Sequence, residues 1–375
     1  MSDSPASVMT GKLQKTVNFF PPALLGLRRT AGRALLRGFY GLFTRTRVEG
    51  LEHIPEKGPL LVLPNHLSNL DGPLVLGMYP RNLEMLGPRD FKMEPFKTML
   101  MTVYGMTLIR RGFADSEAVN SIIRHLRKGK HLLMFPSGGM WEKRSFSSKT
   151  GALYFSQLTQ TPILPVGISG AYLQSHRTLT MHKPELVLRY GEVIDPVSKK
   201  GSKKEREQRL SDAKEELGSV MYGLLEPSEK QRYERWSREI YAMEVRFRTN
   251  GREEVVRSFS DGFIPTLAEF AIKPNLFRPM WLHAGKNMDA FLANEFHDPS
   301  LVQQNADDLE ENLTGDFSQY LPYRLGEEAH ASALAEIGEL RELCSVARRR
   351  GAVIKLVPTA LDPLSSAVRT SPLVG

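Results

Sequence analysis

In the stretch LVLPNHLSNLDGP, residues 61 to 73, a histidine and an aspartate stand five positions apart, directly after an apolar run. His66 and Asp71 are the residue types of a general base. A carboxylate accepting from one ring nitrogen fixes the imidazole tautomer and leaves the other nitrogen to take a proton. Such a base contributes typically about 10²–10⁴-fold to a proton-transfer step. Five positions do not put both side chains on one helix face, so the pair needs a turn between them. Asp71 is also a good helix N-cap, and Pro73 suits a first helical turn. Spacing alone leaves two readings open: a catalytic pair, or a helix cap beside an ordinary turn residue.

Three other stretches carry groups that could hold a ligand. YGMTLIRRG, residues 104 to 112, ends an apolar run in Arg110-Arg111. FPSGGMW, residues 135 to 141, places Ser137 beside the glycines Gly138 and Gly139, and paired glycines let backbone approach a ligand closely. Lys143, Arg144 and Lys149 follow it, and TPILPVG, residues 161 to 167, is an apolar run bracketed by prolines. Several cations and a glycine turn at one place point to an anionic ligand, most simply a phosphate. Taken singly, Arg110 and Arg111 read as a solvated pair, and 161 to 167 as plain core.

The elements that must position these residues alternate from about 48 to 195. Leu60 to Leu63 reads as a strand buried on both faces. Helix is expected over Gly72–Tyr79, Glu94–Tyr104, Ser116–Arg127 and Thr150–Leu158. Strands are expected over Asn82–Leu86, Met106–Ile109, His131–Phe135, Ile163–Ile168 and Leu186–Ile194. Strands alternating with helices predict an α/β fold: a mostly parallel central sheet flanked by helices. His66 then lies just past the carboxyl end of a strand, where open sheets of this kind collect ligands and catalytic groups.

The order of the four stretches resembles the glycerolipid acyltransferase family, of the lysophosphatidic acid acyltransferase type, over roughly residues 45 to 195. VEGLEHIP-EKGPLLVLPNHLSNLD is similar to the start of that family's domain. The family's first block, His, four residues, Asp, is met by His66 and Asp71. Its second, Gly, three residues, Ile, one residue, Arg, is met by Gly105, Ile109 and Arg111. Its third, Phe-Pro-Glu-Gly, reads Phe135, Pro136, Ser137 and Gly138 here, and its fourth is the proline-bracketed run from Pro162 to Pro165. The resemblance implies that His66 deprotonates a glycerol hydroxyl while Asp71 orients it. The hydroxyl attacks the thioester of an acyl-CoA or acyl-carrier protein. Asn65, Gly105, Arg110, Arg111, Ser137, Gly138, Gly139, Arg144 and Lys149 are the expected substrate-binding residues, with Arg111 and the third block on the acceptor's phosphate. Ser137 stands where the family has Glu, and Gly139-Met140 where a Thr-Arg or Gly-Arg often follows. These departures bear on the acceptor and leave the His–Asp pair intact. Ser137 is not expected as a nucleophile, because the elbow pattern requires Gly two positions earlier and Phe135 stands there.

Length and composition bound the rest. The chain has 375 residues, 41% hydrophobic and 25% charged, enough for one large domain or two ordinary ones. Its formal charge is +8. In residues 1 to 50, eight Lys and Arg face only Asp3 and Glu49, a net +6, so most of the excess is N-terminal. One cysteine, Cys344, excludes an internal disulfide framework and is expected to be a small buried residue. The histidines do not cluster at metal-ligand spacing, so no metal is expected, nor any cofactor. No secretory signal is recognisable. From Pro22 to Phe43, Arg28, Arg29, Arg33 and Arg37 interrupt the roughly 20 apolar residues that a membrane span needs. Leu24, Leu27, Ala31, Ala34, Leu35 and Leu42 fall near helical spacing, with Phe39 and Phe43 beside them. They describe an amphipathic helix, suited either to an anionic membrane surface or to covering the domain's own core with its arginines solvated.

Three segments are therefore expected: a basic amphipathic membrane-surface segment over 1–47, an acyltransferase domain over 48–200, and a mainly helical region of unassigned role over 201–375. The polar connector from Val197 to Arg206 marks the second boundary. Beyond it, apolar stripes predict helices around Leu210–Leu224, Tyr233–Met243 and Glu327–Arg350, with Gly351 as a C-cap. Two functional readings follow. The first is an O-acyltransferase, peripheral on the cytoplasmic face of the membrane, acylating a lysophospholipid such as 1-acylglycerol 3-phosphate. The second is a non-catalytic lipid- or acyl-carrier-binding protein on the same fold. No helix-turn-helix, zinc or RNA-recognition signature is present, so no nucleic-acid partner is expected.

Overall fold

The structure is a computed structural model; it describes residues 21–88, 95–110, 115–138, 150–172, 174–238, 241–260, 262–264, 295–314 and 327–360. The chain divides into two compact units, residues 1–89 with 95–234, and residues 90–94 with 235–375.

The first unit opens with helix α1 (Leu25–Phe43), strand β1 (Arg45–Glu49), strand β2 (Leu60–Pro64) and helix α2 (Asp71–Met78). It continues through β3 (Glu84–Pro88), α3 (Pro95–Tyr104), β4 (Thr107–Ile109), α4 (Ser116–Arg127), β5 (His131–Leu133), α5 (Thr150–Thr159) and β6 (Ile163–Ser169). The short helix α6 (Ser175–Leu179), β7 (Glu185–Tyr190), α7 (Lys203–Gly223) and α8 (Pro227–Arg238) follow, the last reaching across the unit boundary. Among the described residues the sheet has the order β1-β7-β6-β2-β5-β3-β4. β6, β2, β5, β3 and β4 run parallel; β7 is antiparallel to β6 and carries β1 parallel to itself at the edge. The mostly parallel sheet flanked by helices is as expected from the alternation of apolar runs.

β2 sits at the centre because nothing in it is polar. Leu60 and Val62 face one layer, with Leu74, Val75 and Tyr40 of α2 and α1. Leu61 and Leu63 face the other, with Ile122 and Leu126 of α4, Leu153 and Phe155 of α5, and Leu217 and Met221 of α7. This two-sided burial is what a parallel strand requires. α7 starts on a reciprocal cap: the Ser202 N–H donates to Glu205 Oε2 at 2.6 Å, and the Glu205 N–H to Ser202 Oγ at 3.4 Å. Because Leu217 and Met221 complete the core beneath β2, residues 201–234 belong with the first unit. The division falls after Glu234, not at the polar connector.

The second unit holds a sheet among its helices, and its first strand corrects the end of the helix expected over Tyr233–Met243. β8 (Tyr241–Thr249) and β9 (Arg252–Phe259) form an antiparallel hairpin, and β10 (Val353–Ala360) pairs with the other side of β8. Met243, Val245 and Phe247 point inward and Glu244, Arg246 and Arg248 alternate with them, a strand period where a helix was expected. Asn250 and Gly251 both adopt positive φ, 50° and 79°, the backbone that a tight hairpin turn demands. α9 (Pro299–Thr314) and α10 (Glu327–Arg349) pack together and against β10. α10 buries Ile337, Leu340 and Cys344 as its stripe predicts, and Gly351 at φ 61° lets the chain leave it. Burial pushes the Cys344 thiol up to about 12, which makes it inert.

Candidate active site

β2 ends at Pro64, and the next six residues turn back to start α2 at Asp71. His66 and Asp71 meet across this turn. Asp71 is not the N-cap; it occupies the first turn of α2, after Leu70, and its carboxylate reaches backward. Oδ2 accepts from His66 Nδ1 at 2.9 Å and from the backbone N–H groups of Leu67 and Ser68, both at 2.7 Å. Three donors thus converge on one carboxylate oxygen. Asp71 is 1% exposed and His66 18%, so the acceptor is enclosed and the ring reaches the surface. With Nδ1–H donating to Asp71, Nε2 presents its lone pair; among the described residues nothing is bonded to it. The Phe135 ring stacks on the imidazole, centroids 3.8 Å apart and planes 19° apart, closing one face of the base. Gly72 packs beside this pair: a Cβ there would stand 2.8 Å from Met85 Cε and in ordinary contact, 3.8 Å, with the Phe135 ring.

The carboxyl ends of the parallel strands decide which expected residues share this rim. Asn65 and His66 follow β2, Arg110 follows β4, and Ser137 and Gly138 follow β5, so all three segments lie on the same edge. The Arg110 N–H donates to Asp115 Oδ2 at 3.0 Å, and Asp115 Oδ1 caps α4 by accepting from the Ala118 N–H at 3.1 Å. Gly138, at φ 75°, closes a turn whose N–H donates to the Phe135 carbonyl at 3.0 Å. Arg111, Gly139, Arg144 and Lys149 lie outside the described residues.

Two of the expected substrate contacts have partners within the fold. Asn65 is buried, and its amide is spent on the fold: Nδ2 donates to the Ile168 carbonyl at 3.0 Å, and Oδ1 accepts from the Ile168 N–H at 2.7 Å. It mimics a strand partner and stitches the end of β2 to β6. Gly105 precedes β4, so it lies at the amino end of the strand, on the opposite edge from His66. It ends α3 at φ 72°, and a Cβ there would lie 2.6 Å from Leu25 Cδ1 of α1. Its carbonyl accepts from Arg29 at 2.6 Å. Gly105 serves the seam between α1 and α3.

Tyr40 and Tyr233 touch the site region without having been singled out in the sequence for it, and Phe135, named with the third block, was not read as a partner of the imidazole. The Tyr40 hydroxyl donates to the Leu70 carbonyl at 2.8 Å, and the Tyr233 hydroxyl is hydrogen-bonded to the Asn65 side chain. Burial first, then the Asp71 charge, pushes the Tyr40 phenol up, and burial does the same to Tyr233, so both are neutral. Among the described residues no group of His, Cys, Asp and Glu side chains is arranged to hold a metal ion.

The sheet and its rim define an α/β domain with a hydrogen-bonded His66–Asp71 pair at the carboxyl edge. Residues 45–169 match the family model described as Acyltransferase. The curated relatives are more particular. The chain is 27% identical over 124 residues to the 1-acyl-sn-glycerol-3-phosphate acyltransferase of Borreliella burgdorferi, covering 32% of this chain and 49% of that one. It is 26% identical over 161 residues to the Saccharomyces cerevisiae protein of the same name, covering 39% and 52%. It is 32% identical over 163 residues to a probable 1-acyl-sn-glycerol-3-phosphate acyltransferase of Mycoplasma genitalium, covering 39% and 59%. The chain thus spans about half the length of the curated relatives it matches. A solved structure, the 1-acyl-sn-glycerophosphate acyltransferase of Thermotoga maritima, aligns with 57% of this chain and 88% of its own at 22% identity and a TM-score of 0.39.

Proposed function

We propose that the protein is an O-acyltransferase that moves a fatty acyl group from acyl-CoA or an acyl-carrier protein to the free hydroxyl of a lysophospholipid, with 1-acylglycerol 3-phosphate the best acceptor. His66 Nε2 takes the hydroxyl proton as the oxygen attacks the thioester carbonyl. The tetrahedral intermediate collapses with cleavage of the C–S bond, and the imidazolium returns the proton to the departing thiolate. Asp71 keeps the ring in the productive tautomer and stabilises the imidazolium. Arg111 and the third-block loop hold the acceptor's phosphate. The observation that carries this reading is the 2.9 Å contact between His66 Nδ1 and a buried Asp71, at the carboxyl rim of a parallel sheet.

The reading includes a peripheral site of action on the cytoplasmic face of an anionic membrane. It is supported by the outer face of α1. Leu27 is 68% and Leu35 74% exposed, with Leu24 and Leu42 on the same side, and Met99, Leu100 and Val103 of the adjoining α3 are exposed as well. Arg33 and Arg37 accompany the leucines along α1. Among the described residues no helix is long and apolar enough to cross a membrane.

Purified protein given labelled acyl-CoA and a panel of acceptors, with and without phosphate, tests the activity. We expect transfer to the phosphorylated lysolipid, and a loss of roughly 10²–10⁴-fold in His66→Ala with lipid binding retained. A wild type that acylates none of the acceptors, from either donor, would instead support the non-catalytic lipid-binding reading.

A further inference from the structure

We infer that two tyrosines outside the family-matched segment, Tyr40 on α1 and Tyr233 on α8, are positioning residues that hold the His66–Asp71 turn from either end. The inference rests on the acyltransferase reading above. The matched segment runs from 45 to 169 and so contains neither residue. Within the turn, Asp71 Oδ2 accepts from the Leu67 and Ser68 N–H groups, and Ser68 Oγ accepts from the Leu70 N–H at 3.2 Å. The turn's two ends are gripped from outside. At the α2 end, Tyr40, 1% exposed, donates to the Leu70 carbonyl at 2.8 Å, one residue before Asp71. At the β2 end, Tyr233, itself buried, bonds the Asn65 side chain, one residue before His66.

Asn65 is the joint in this arrangement. One N–H and the carbonyl oxygen of its amide are fixed on the Ile168 backbone, and Tyr233 takes up what the amide has left. α8 is itself anchored where β6 ends. Glu229, 1% exposed, accepts from the Gly170 N–H at 2.9 Å and pairs with Arg232 at 3.1 Å, and the Arg232 guanidinium lies 4.6 Å from the Tyr172 ring centre. Tyr233 is thus delivered by a docked helix. A base works only when its ring is held within a fraction of an ångström of the productive geometry, so loosening either hold lowers turnover more than it lowers substrate affinity.

Tyr40→Phe and Tyr233→Phe keep the rings and remove only the hydroxyls. A hydrogen bond of this kind contributes about 0.5–1.5 kcal/mol net. We expect kcat to fall by about 3- to 10-fold in each variant and by more in the pair, with KM within about twofold of wild type. Tyr190→Phe is the control, because the Tyr190 hydroxyl is buried in the same core without a hydrogen-bond partner among the described residues. It should leave kcat unchanged. Rates are normalised to the folded fraction from near-ultraviolet circular dichroism, and each tyrosine is tested alone, so poor folding of one variant leaves the other decisive. Wild-type kcat in both single variants, or a loss that vanishes on normalisation, or an equal loss in Tyr190→Phe, overturns the inference. A wild-type protein that transfers no acyl group defeats the functional reading instead.

Discussion

Asp71 carries more of the site than a cap would. Its Oδ2 serves the imidazole and two backbone N–H groups at once, while Oδ1 is buried without a hydrogen-bond partner among the described residues. An unsatisfied buried oxygen costs stability, and such groups persist where function retains them. Asp71→Asn tests this at the residue scale. The amide is nearly isosteric but removes the charge that stabilises the imidazolium, and its NH₂ group cannot accept from the Leu67 and Ser68 N–H groups. We expect acyl transfer to fall by at least about 100-fold, with a smaller change in melting temperature than in activity. Steady-state kinetics beside a thermal melt would show it, and a variant retaining most of its kcat would remove Asp71 from the base. At this scale the sequence was legible for the pair itself, since a turn between His66 and Asp71 was the one way to join them. It was not legible for Asn65. An asparagine beside a candidate base looks like a ligand contact until Ile168, 103 residues away, takes both ends of its amide.

Helix α1 shows why periodicity names a stripe without saying which side it faces. The leucines at 24, 27, 35 and 42 do share a face, but it is the outer one. The inner face carries Leu36, Phe39 and Tyr40, together with Arg29, which is buried. Arg29 pairs with Glu84 at 2.6 Å and donates to the Tyr104 carbonyl at 3.2 Å, so a residue that reads as a solvated cation is a buried bolt between α1, β3 and α3. On the peripheral-membrane reading proposed above, this exposed apolar stripe is the docking face. Leu27→Asp with Leu35→Asp should therefore reduce co-sedimentation with anionic phospholipid vesicles several-fold and leave the melting temperature unchanged, because neither side chain is buried. Undiminished vesicle binding would remove α1 as the docking face. Elsewhere, β8 and β9 were legible in principle: Asn-Gly between alternating residues is a strong hairpin signal. The aromatic and apolar residues at 233, 236, 240 and 243 compete with it by imitating a helical period.

At the scale of the first unit, stability is tied to pH through histidines at the amino end of the sheet, away from His66. His131 is buried at the start of β5, and its Nδ1 accepts from the Tyr79 hydroxyl at 2.6 Å. Burial, and then the Arg81 and His125 charges, lower it from 6.5 to about 4, with a bond to the Gly58 carbonyl opposing. His125 is lowered too, by burial first, against the pull of Glu84. For a base lowered in the folded state, the unfolded chain binds the proton first. The stabilisation is complete above 6.5 and is lost as pH falls toward about 4. The melting temperature should drop between about pH 7.5 and about pH 5. His131→Gln should flatten that drop without abolishing it, because His125 still titrates; an unchanged pH slope would show that His131 does not contribute.

What the sequence determined by itself was the alternation of apolar runs, and with it a parallel sheet whose carboxyl edge receives His66, Arg110 and Ser137. Those are local properties: the burial of a strand and the spacing of a turn are written in consecutive residues. What the tertiary structure alone decided was which distant side chains meet that edge. Phe135 lies against the imidazole, Tyr40 and Tyr233 hold the turn, and Gly105 falls on the far edge. Each depends on strand order and helix docking, because contacts across tens to hundreds of residues are fixed by how layers pack and leave no period in the chain.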